Sequence, residues 1–87
     1  MRRLILTSTF TRAWKHVPEE IRDRVDTTIQ MLCVDQTNLS LDIRKLSGIH
    51  PPTWRLRIGD YRVVFRITPT DVTCLTIGHR KDVYRNL

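Results

Sequence analysis

The 87-residue chain lacks most of the features that would place it outside ordinary folded proteins. Three glycines and four prolines are too few for a flexible or repetitive chain, and no low-complexity run or internal repeat is present. No apolar stretch approaches the roughly 18 residues that a membrane-spanning helix requires. Met1-Arg2-Arg3 is followed by only Leu4-Ile5-Leu6, short of the roughly 7 to 15 apolar residues of a signal peptide, so a cytoplasmic location is expected. The two cysteines, Cys33 and Cys74, are far apart and neither has metal-type spacing around it. They are expected to be reduced, buried and small, with no metal or cofactor involved. Glutamate is absent from the second half of the chain; Glu19 and Glu20 are the last.

What is abundant is arginine. The net charge is +6, and the excess is not spread evenly. Residues 1–43 carry six basic and six acidic side chains, which cancel, whereas residues 44–87 carry nine basic and three acidic ones. Twelve of the fifteen basic residues are arginine, whose planar fork suits phosphate and keeps its charge when partly buried. An anionic partner follows, and nucleic acid is the commonest.

Periodicity divides the chain at about the same place. Residues 3–7 read as a short strand. Ser8 or Thr9 can cap a short helix bearing Phe10, Ala13 and Trp14 at i, i+3, i+4. Pro18 interrupts it and suits the first turn of a second helix, whose positive end Glu19 and Glu20 favour. Ile21, Val25, Ile29, Leu32 and Cys33 then form one apolar stripe on a helix of about 16 residues. Residues 39–46 are ambiguous, extended or turn-like, and Ser47-Gly48 and Pro51-Pro52 mark a loop. From Trp54 the period becomes two. Trp54-Arg55-Leu56-Arg57-Ile58, a Gly59-Asp60 turn and Tyr61 to Ile67 read as a hairpin. A third strand follows at 72–77 and a polar tail at 78–84. The expected architecture is an antiparallel meander with helices on one face. Trp14 and Trp54 are expected in the core, and His16 and His50 have no evident chemistry.

If Gly59-Asp60 is the turn, Ile58 pairs with Tyr61, Leu56 with Val63, and Trp54 with Phe65, giving one continuous apolar face. The same register sets Arg57 opposite Arg62 on the other face, Arg55 opposite Val64, and Arg66 nearby. Like charges directly opposite one another destabilise a sheet, so four arginines without a carboxylate among them describe a site completed by an external anion. The competing reading is a solvated face whose arginines pair with Asp42 or Asp82. The tail adds His79, Arg80, Lys81, Tyr84 and Arg85, groups that can stack on bases, hold phosphate and move protons.

The blocks GDYRVVF (59–65) and IGHRKDVY (77–84), with KLSG (45–48) and TWRLRI (53–58) before them, resemble the RelE/ParE toxin superfamily, specifically its RelE-like ribonuclease branch. The resemblance covers nearly the whole chain. It implies one α+β domain over residues 1–87, with a small antiparallel sheet of about four strands and an N-terminal helical hairpin packed on one face. It further implies a toxin of a type II toxin–antitoxin pair that cleaves mRNA in the ribosomal A site without a metal or cofactor and is restrained by a cognate antitoxin. By motif, Arg62 is the arginine that contacts the scissile phosphate, Arg55 and Arg57 the basic pair of the preceding strand, Arg80 the basic residue after the I-G-x turn, and Tyr84 the C-terminal tyrosine. His79 stands where several relatives carry histidine or lysine. Arg62, Arg80, Tyr84 and His79 are therefore the candidate catalytic residues, and Arg55, Arg57, Arg66, Lys81 and Arg85 the candidate phosphate contacts. Where relatives have lysines, Arg55 and Arg57 cannot accept a proton, and a carboxylate base would have to be Asp42, Asp60 or Asp82, none of them well placed in this register, which leaves His79 and Tyr84 to move one. The alternative within the same fold is a ParE-like toxin that inhibits DNA gyrase without cutting RNA.

Overall fold

The computed structural model describes residues 1–85. Seven elements follow in order: β1 (Arg3–Leu6), α1 (Ser8–Trp14), α2 (Glu19–Val34), β2 (Asp42–Lys45), β3 (Trp54–Ile58), β4 (Tyr61–Ile67) and β5 (Asp71–His79). The strands form one sheet in the order β1-β5-β4-β3-β2. β1 runs parallel to β5, and every other neighbouring pair is antiparallel. The fold is α+β, with five strands in a mixed sheet rather than about four in an antiparallel one.

The two helices begin where local chemistry dictates. Thr7, one residue before the expected cap, accepts from the Phe10 amide at 3.1 Å and so satisfies an otherwise orphaned N–H at the start of α1. Pro18, which lacks an N–H to lose, stands at the N-cap of α2, and Glu19 and Glu20 occupy its first turn. The α2 stripe is as expected: Val25, Ile29, Leu32 and Cys33 are buried, and Ile21 packs partly buried against them. Phe10 stacks on Trp14 with ring centroids 5.9 Å apart, and the Arg22 guanidinium lies over the Trp14 ring, 5.8 Å from its centroid. Among the described residues no helix is long and apolar enough to cross a membrane.

These helices meet the apolar side of the hairpin. The β3–β4 register is the expected one: Trp54 with Phe65, Leu56 with Val63, Arg57 with Arg62, and Ile58 with Tyr61. Leu56, Val63 and Phe65 are almost wholly buried there, and Trp54 packs partly exposed at the margin. Gly59 has φ +58°, the left-handed value that the first turn residue needs to fold this hairpin tightly.

Three expectations require correction. Residues 42–45, left ambiguous by their mixed pattern, form the edge strand β2 against β3. The last strand extends over Asp71–His79, so Gly78 and His79 belong to the sheet and not to the tail. β1 crosses over to lie beside β5, with Leu4 opposite Val72 and Leu6 opposite Cys74, because the helices must return the chain over the sheet before the meander begins. One irregularity lies in β5. Val64 pairs with Thr76 but Phe65 with Cys74, leaving Leu75 as an extra residue that keeps Ile77 and Cys74 both on the helix side.

Candidate nucleic-acid interface

The face of the sheet away from the helices is built by alternation. β3 contributes Arg55 and Arg57, and β4 contributes Arg62, Val64 and Arg66. β2, once it is a strand, adds Asp42 opposite Arg57 and Arg44 opposite Arg55. On the far side, β5 presents Thr73, Thr76 and Gly78 opposite Arg66, Val64 and Arg62. Five arginines therefore share the β2–β4 part of this face, and Arg3, at its β1 edge, is a sixth that is paired with Asp71 at 2.9 Å. Arg44 was hidden from the sequence reading because its segment had no clear period.

Val64 shows how this face is held together. It is fully buried although it lies on the side away from the helices. Its neighbours in the sheet are Arg55, Thr76, Arg62 and Arg66. Long arginine side chains beside a strand residue can cover it with their aliphatic stems.

The guanidinium groups are individually anchored, and in different ways. The Nη1 of Arg62 donates to the carbonyl oxygens of Gly59 at 2.8 Å and Tyr61 at 2.9 Å. Among the described residues no carboxylate lies within salt-bridge distance of it, and its Nε and Nη2 are uncommitted. The Nε of Arg66 donates to the hydroxyl of buried Thr53 at 3.3 Å. The Nη1 of Arg55 lies 3.0 Å from the Asp42 carboxylate, and the Arg57 Nη1 lies 3.9 Å from the same carboxylate. The expectation that no carboxylate stands among these arginines is thus corrected. Asp42 does, because β2 pairs in a register that the sequence did not reveal.

The C-terminal turn closes one end of this face. The Arg80 amide donates to the Asp60 carbonyl at 2.8 Å, and the Arg80 guanidinium is 3.9 Å from the Asp60 carboxylate. Arg62 and Arg80 are therefore both tied to the same hairpin turn. Val83 lies over Gly78: a Cβ added at that glycine would stand 3.3 Å from the Val83 Cβ. A side chain at Gly78 would require Val83, and the turn that carries it, to give by a few tenths of an ångström beside Arg62. Tyr84, next in the chain, is exposed.

Not every candidate joins this group. His79 pairs with Tyr61 on the helix side of the sheet, and their rings meet edge to face at a centroid separation of 5.7 Å. The two rings, with His16, line a small cavity there, away from the arginines. Lys81 and Arg85 are exposed on the turn, and Arg85 is 3.4 Å from the Asp82 carboxylate. His50 is also exposed. The cysteines are free and buried, and burial pushes the Cys74 thiol up to about 12. Among the described residues no group of three or more His, Cys, Asp or Glu side chains is arranged to hold a metal ion. What the outer face can do is bind a phosphate chain at several points and offer Arg62 a free edge toward one phosphorus.

Known proteins carry the same arrangement of elements. The model of the family described as ParE toxin of type II toxin–antitoxin system, parDE, matches residues 4–84. Toxin RelE3 of Methanocaldococcus jannaschii is 32% identical over 85 residues, which is 94% of this chain and 94% of that one. The RelB–RelE antitoxin–toxin complex from Methanococcus jannaschii contains a chain of TM-score 0.74 and 32% identity, with coverage of 88% of this chain and 91% of that one. The archaeal RelE–RelB complex from Pyrococcus horikoshii OT3 has a chain of TM-score 0.76 at 21% identity, with coverage of 93% and 97%, and supports the fold alone. With a family match across almost its full length and a RelE relative at this level of identity, the chain belongs to the RelE/ParE superfamily of type II toxin–antitoxin toxins.

Proposed function

We propose that the protein is a ribosome-dependent mRNA endoribonuclease that arrests translation in the cytoplasm and needs no metal. The observation that carries this reading is the outer sheet face. Arg55, Arg57 and Arg62 project together there, and Arg62 keeps two of its three nitrogens uncommitted among the described residues.

The reaction is an in-line transesterification. A ribose 2′-hydroxyl loses its proton and attacks the adjacent phosphorus. The bond to the 5′-oxygen of the next nucleotide breaks, and that oxygen takes up a proton. The products are a 2′,3′-cyclic phosphate and a free 5′-hydroxyl. Negative charge builds on the non-bridging oxygens as the phosphorane forms, and preorganised donors lower its energy most when they are fixed beforehand. Arg62 fills that role, with its Nη1 held by the hairpin carbonyls and its Nε and Nη2 turned to the phosphate. Arg80, tied to the same turn, supports the leaving side. Arg55, Arg57 and Arg66 hold the flanking phosphates, and Lys81 and Arg85 extend the positive field along the strand. Of the two proton-moving candidates, Tyr84 follows the residue that lies over Gly78 beside Arg62, whereas His79 points to the helix side. The proton-handling role is therefore assigned to Tyr84, together with base stacking.

A cognate antitoxin is the proposed restraint. RelB occupies that place in the complex from Methanococcus jannaschii, whose toxin chain is 32% identical to this one. A basic face that must be silenced is suited to an acidic segment laid across it.

The test is induction of the chain alone, with mapping of mRNA 5′ ends. Cleavage within translated regions, with 5′-hydroxyl termini, is expected; growth arrest with intact transcripts would overturn the reading. A second reading is favoured by one observation, the match to a family described by its ParE toxin. On that reading the protein poisons DNA gyrase, and induction would raise a DNA-damage response before protein synthesis falls.

A further inference from the structure

We infer that Asp42 is a positioning residue for the RNA-binding arginines, acting through Arg55 and Arg57 and never touching the RNA itself. The inference rests on the ribonuclease reading above and names a component that the reading does not require.

The geometry is specific. Arg55 Nη1 donates to one carboxylate oxygen of Asp42 at 3.0 Å and to the Asp42 main-chain carbonyl at 3.2 Å. The other carboxylate oxygen faces Arg57 Nη1 at 3.9 Å. One side chain therefore spans two guanidinium groups, and it does so from the edge strand, directly opposite Arg57 in the register. Only 13% of the Arg55 side chain is exposed, against 53% for Arg57, so Arg55 is seated in the sheet with its head turned toward Asp42. Asp42 itself is about half exposed.

The five arginines on the outer side of β2–β4 repel one another and, unrestrained, would splay into solvent. A single carboxylate at the β2 edge removes part of that repulsion, fixes the Arg55 fork by hydrogen bonding and attracts the Arg57 one across 3.9 Å, without cancelling the field over Arg62, for which the described residues supply no carboxylate. Phosphoryl transfer is sensitive to such placement, since a misplacement of about 1 Å can cost roughly 10²-fold in rate. Asp42 also opposes RNA electrostatically. Its removal should therefore leave binding intact, or tighten it, while slowing the chemistry. A side chain that merely stabilised the fold would lower both together.

The experiment compares the full-length wild type with Asp42→Asn and Asp42→Glu. Single-turnover cleavage is measured on ribosomes programmed with a defined mRNA, and affinity by anisotropy of a labelled single-stranded RNA octamer at fixed salt. Asp42→Asn should cut the cleavage rate by about tenfold while the octamer binds as tightly as to wild type or up to about threefold tighter. Asp42→Glu should recover most of the rate. An unchanged rate in Asp42→Asn, a parallel loss of affinity, or a glutamate variant no better than the asparagine variant would each overturn the inference. Failure of the wild type to cleave would instead overturn the ribonuclease reading. A measurement on wild-type protein alone guards against a variant that does not fold: the Arg55 Nε–Hε group should be rigid by NMR relaxation and that of Arg44 mobile. Equal mobility of the two would also overturn it.

Discussion

Replacing Arg62 by lysine keeps the charge and should still abolish most of the activity. Arg62 does two things at once. Its Nη1 holds the Gly59 and Tyr61 carbonyls at 2.8 and 2.9 Å, and its Nε and Nη2 remain for the phosphate. A lysine has one nitrogen; it can stay on the hairpin turn or reach the phosphorus, and it cannot offer a fork while anchored. Loss of a single preorganised donor to a developing oxyanion costs about 10² to 10³ in rate, or about 2.7–4 kcal/mol of transition-state stabilisation. Arg62→Ala should lose that full factor, and Arg62→Lys should recover less than tenfold of it. Single-turnover cleavage of ribosome-bound mRNA reads the effect, with thermal unfolding as a control for the two lost carbonyl contacts. A lysine variant within threefold of wild type would refute the anchored-fork argument and leave only charge to explain the site.

Three further outcomes test the scaffold. Leu56→Ala removes a fully buried side chain beneath the hairpin and should cost about 2–5 kcal/mol in urea unfolding, a large part of the roughly 5–15 kcal/mol a domain has; a loss under about 1 kcal/mol would mean that α2 settles into the gap. Asp71 accepts from Arg3 at 2.9 Å and from the Thr70 hydroxyl at 3.0 Å, and these bonds, Arg3 first, hold its carboxyl below the ordinary 3.8. Its stabilising effect is therefore complete above that ordinary value and is lost as pH falls through the lower folded one. Asp71→Asn should flatten the loss of stability on acidification below about pH 4, and urea midpoints that fall as steeply in the variant as in wild type would count against it. Cys74, buried and with its thiol pushed up to about 12, should resist a disulfide reagent at pH 8 until the protein unfolds; fast labelling of the native state would contradict its burial.

The hairpin was legible from its pattern once the turn was set at Gly59-Asp60. Strict alternation from Trp54 to Ile58 and alternation resumed after Tyr61, broken only by Val64, then pair Leu56 with Val63 and Arg57 with Arg62, as observed, whereas a turn shifted by one residue would have exchanged the two faces. The α2 stripe was legible for a similar reason, since sixteen residues with one apolar face can bury only that face. Asp42–Lys45 was not legible. Four residues are too few to establish a period, and both its charged outer face and its partly buried inner one are set by the neighbour strand alone. The surroundings of His79 were not legible for another reason. Sequence gives its neighbours Arg80 and Tyr84, whereas the continuation of β5 sets its ring edge to face with Tyr61, and its Nδ1 accepts from the Lys81 amide at 3.4 Å.

The amino-acid order alone thus determined the helices, the hairpin and the concentration of arginine on one of its faces, because each depends on contacts between residues close in the chain. The tertiary structure decided what is non-local: the parallel docking of β1 on β5 and the edge strand that brings Asp42 and Arg44 to the arginines. Those pairings join segments separated by up to 68 residues, and no local period encodes which partner such a segment will meet.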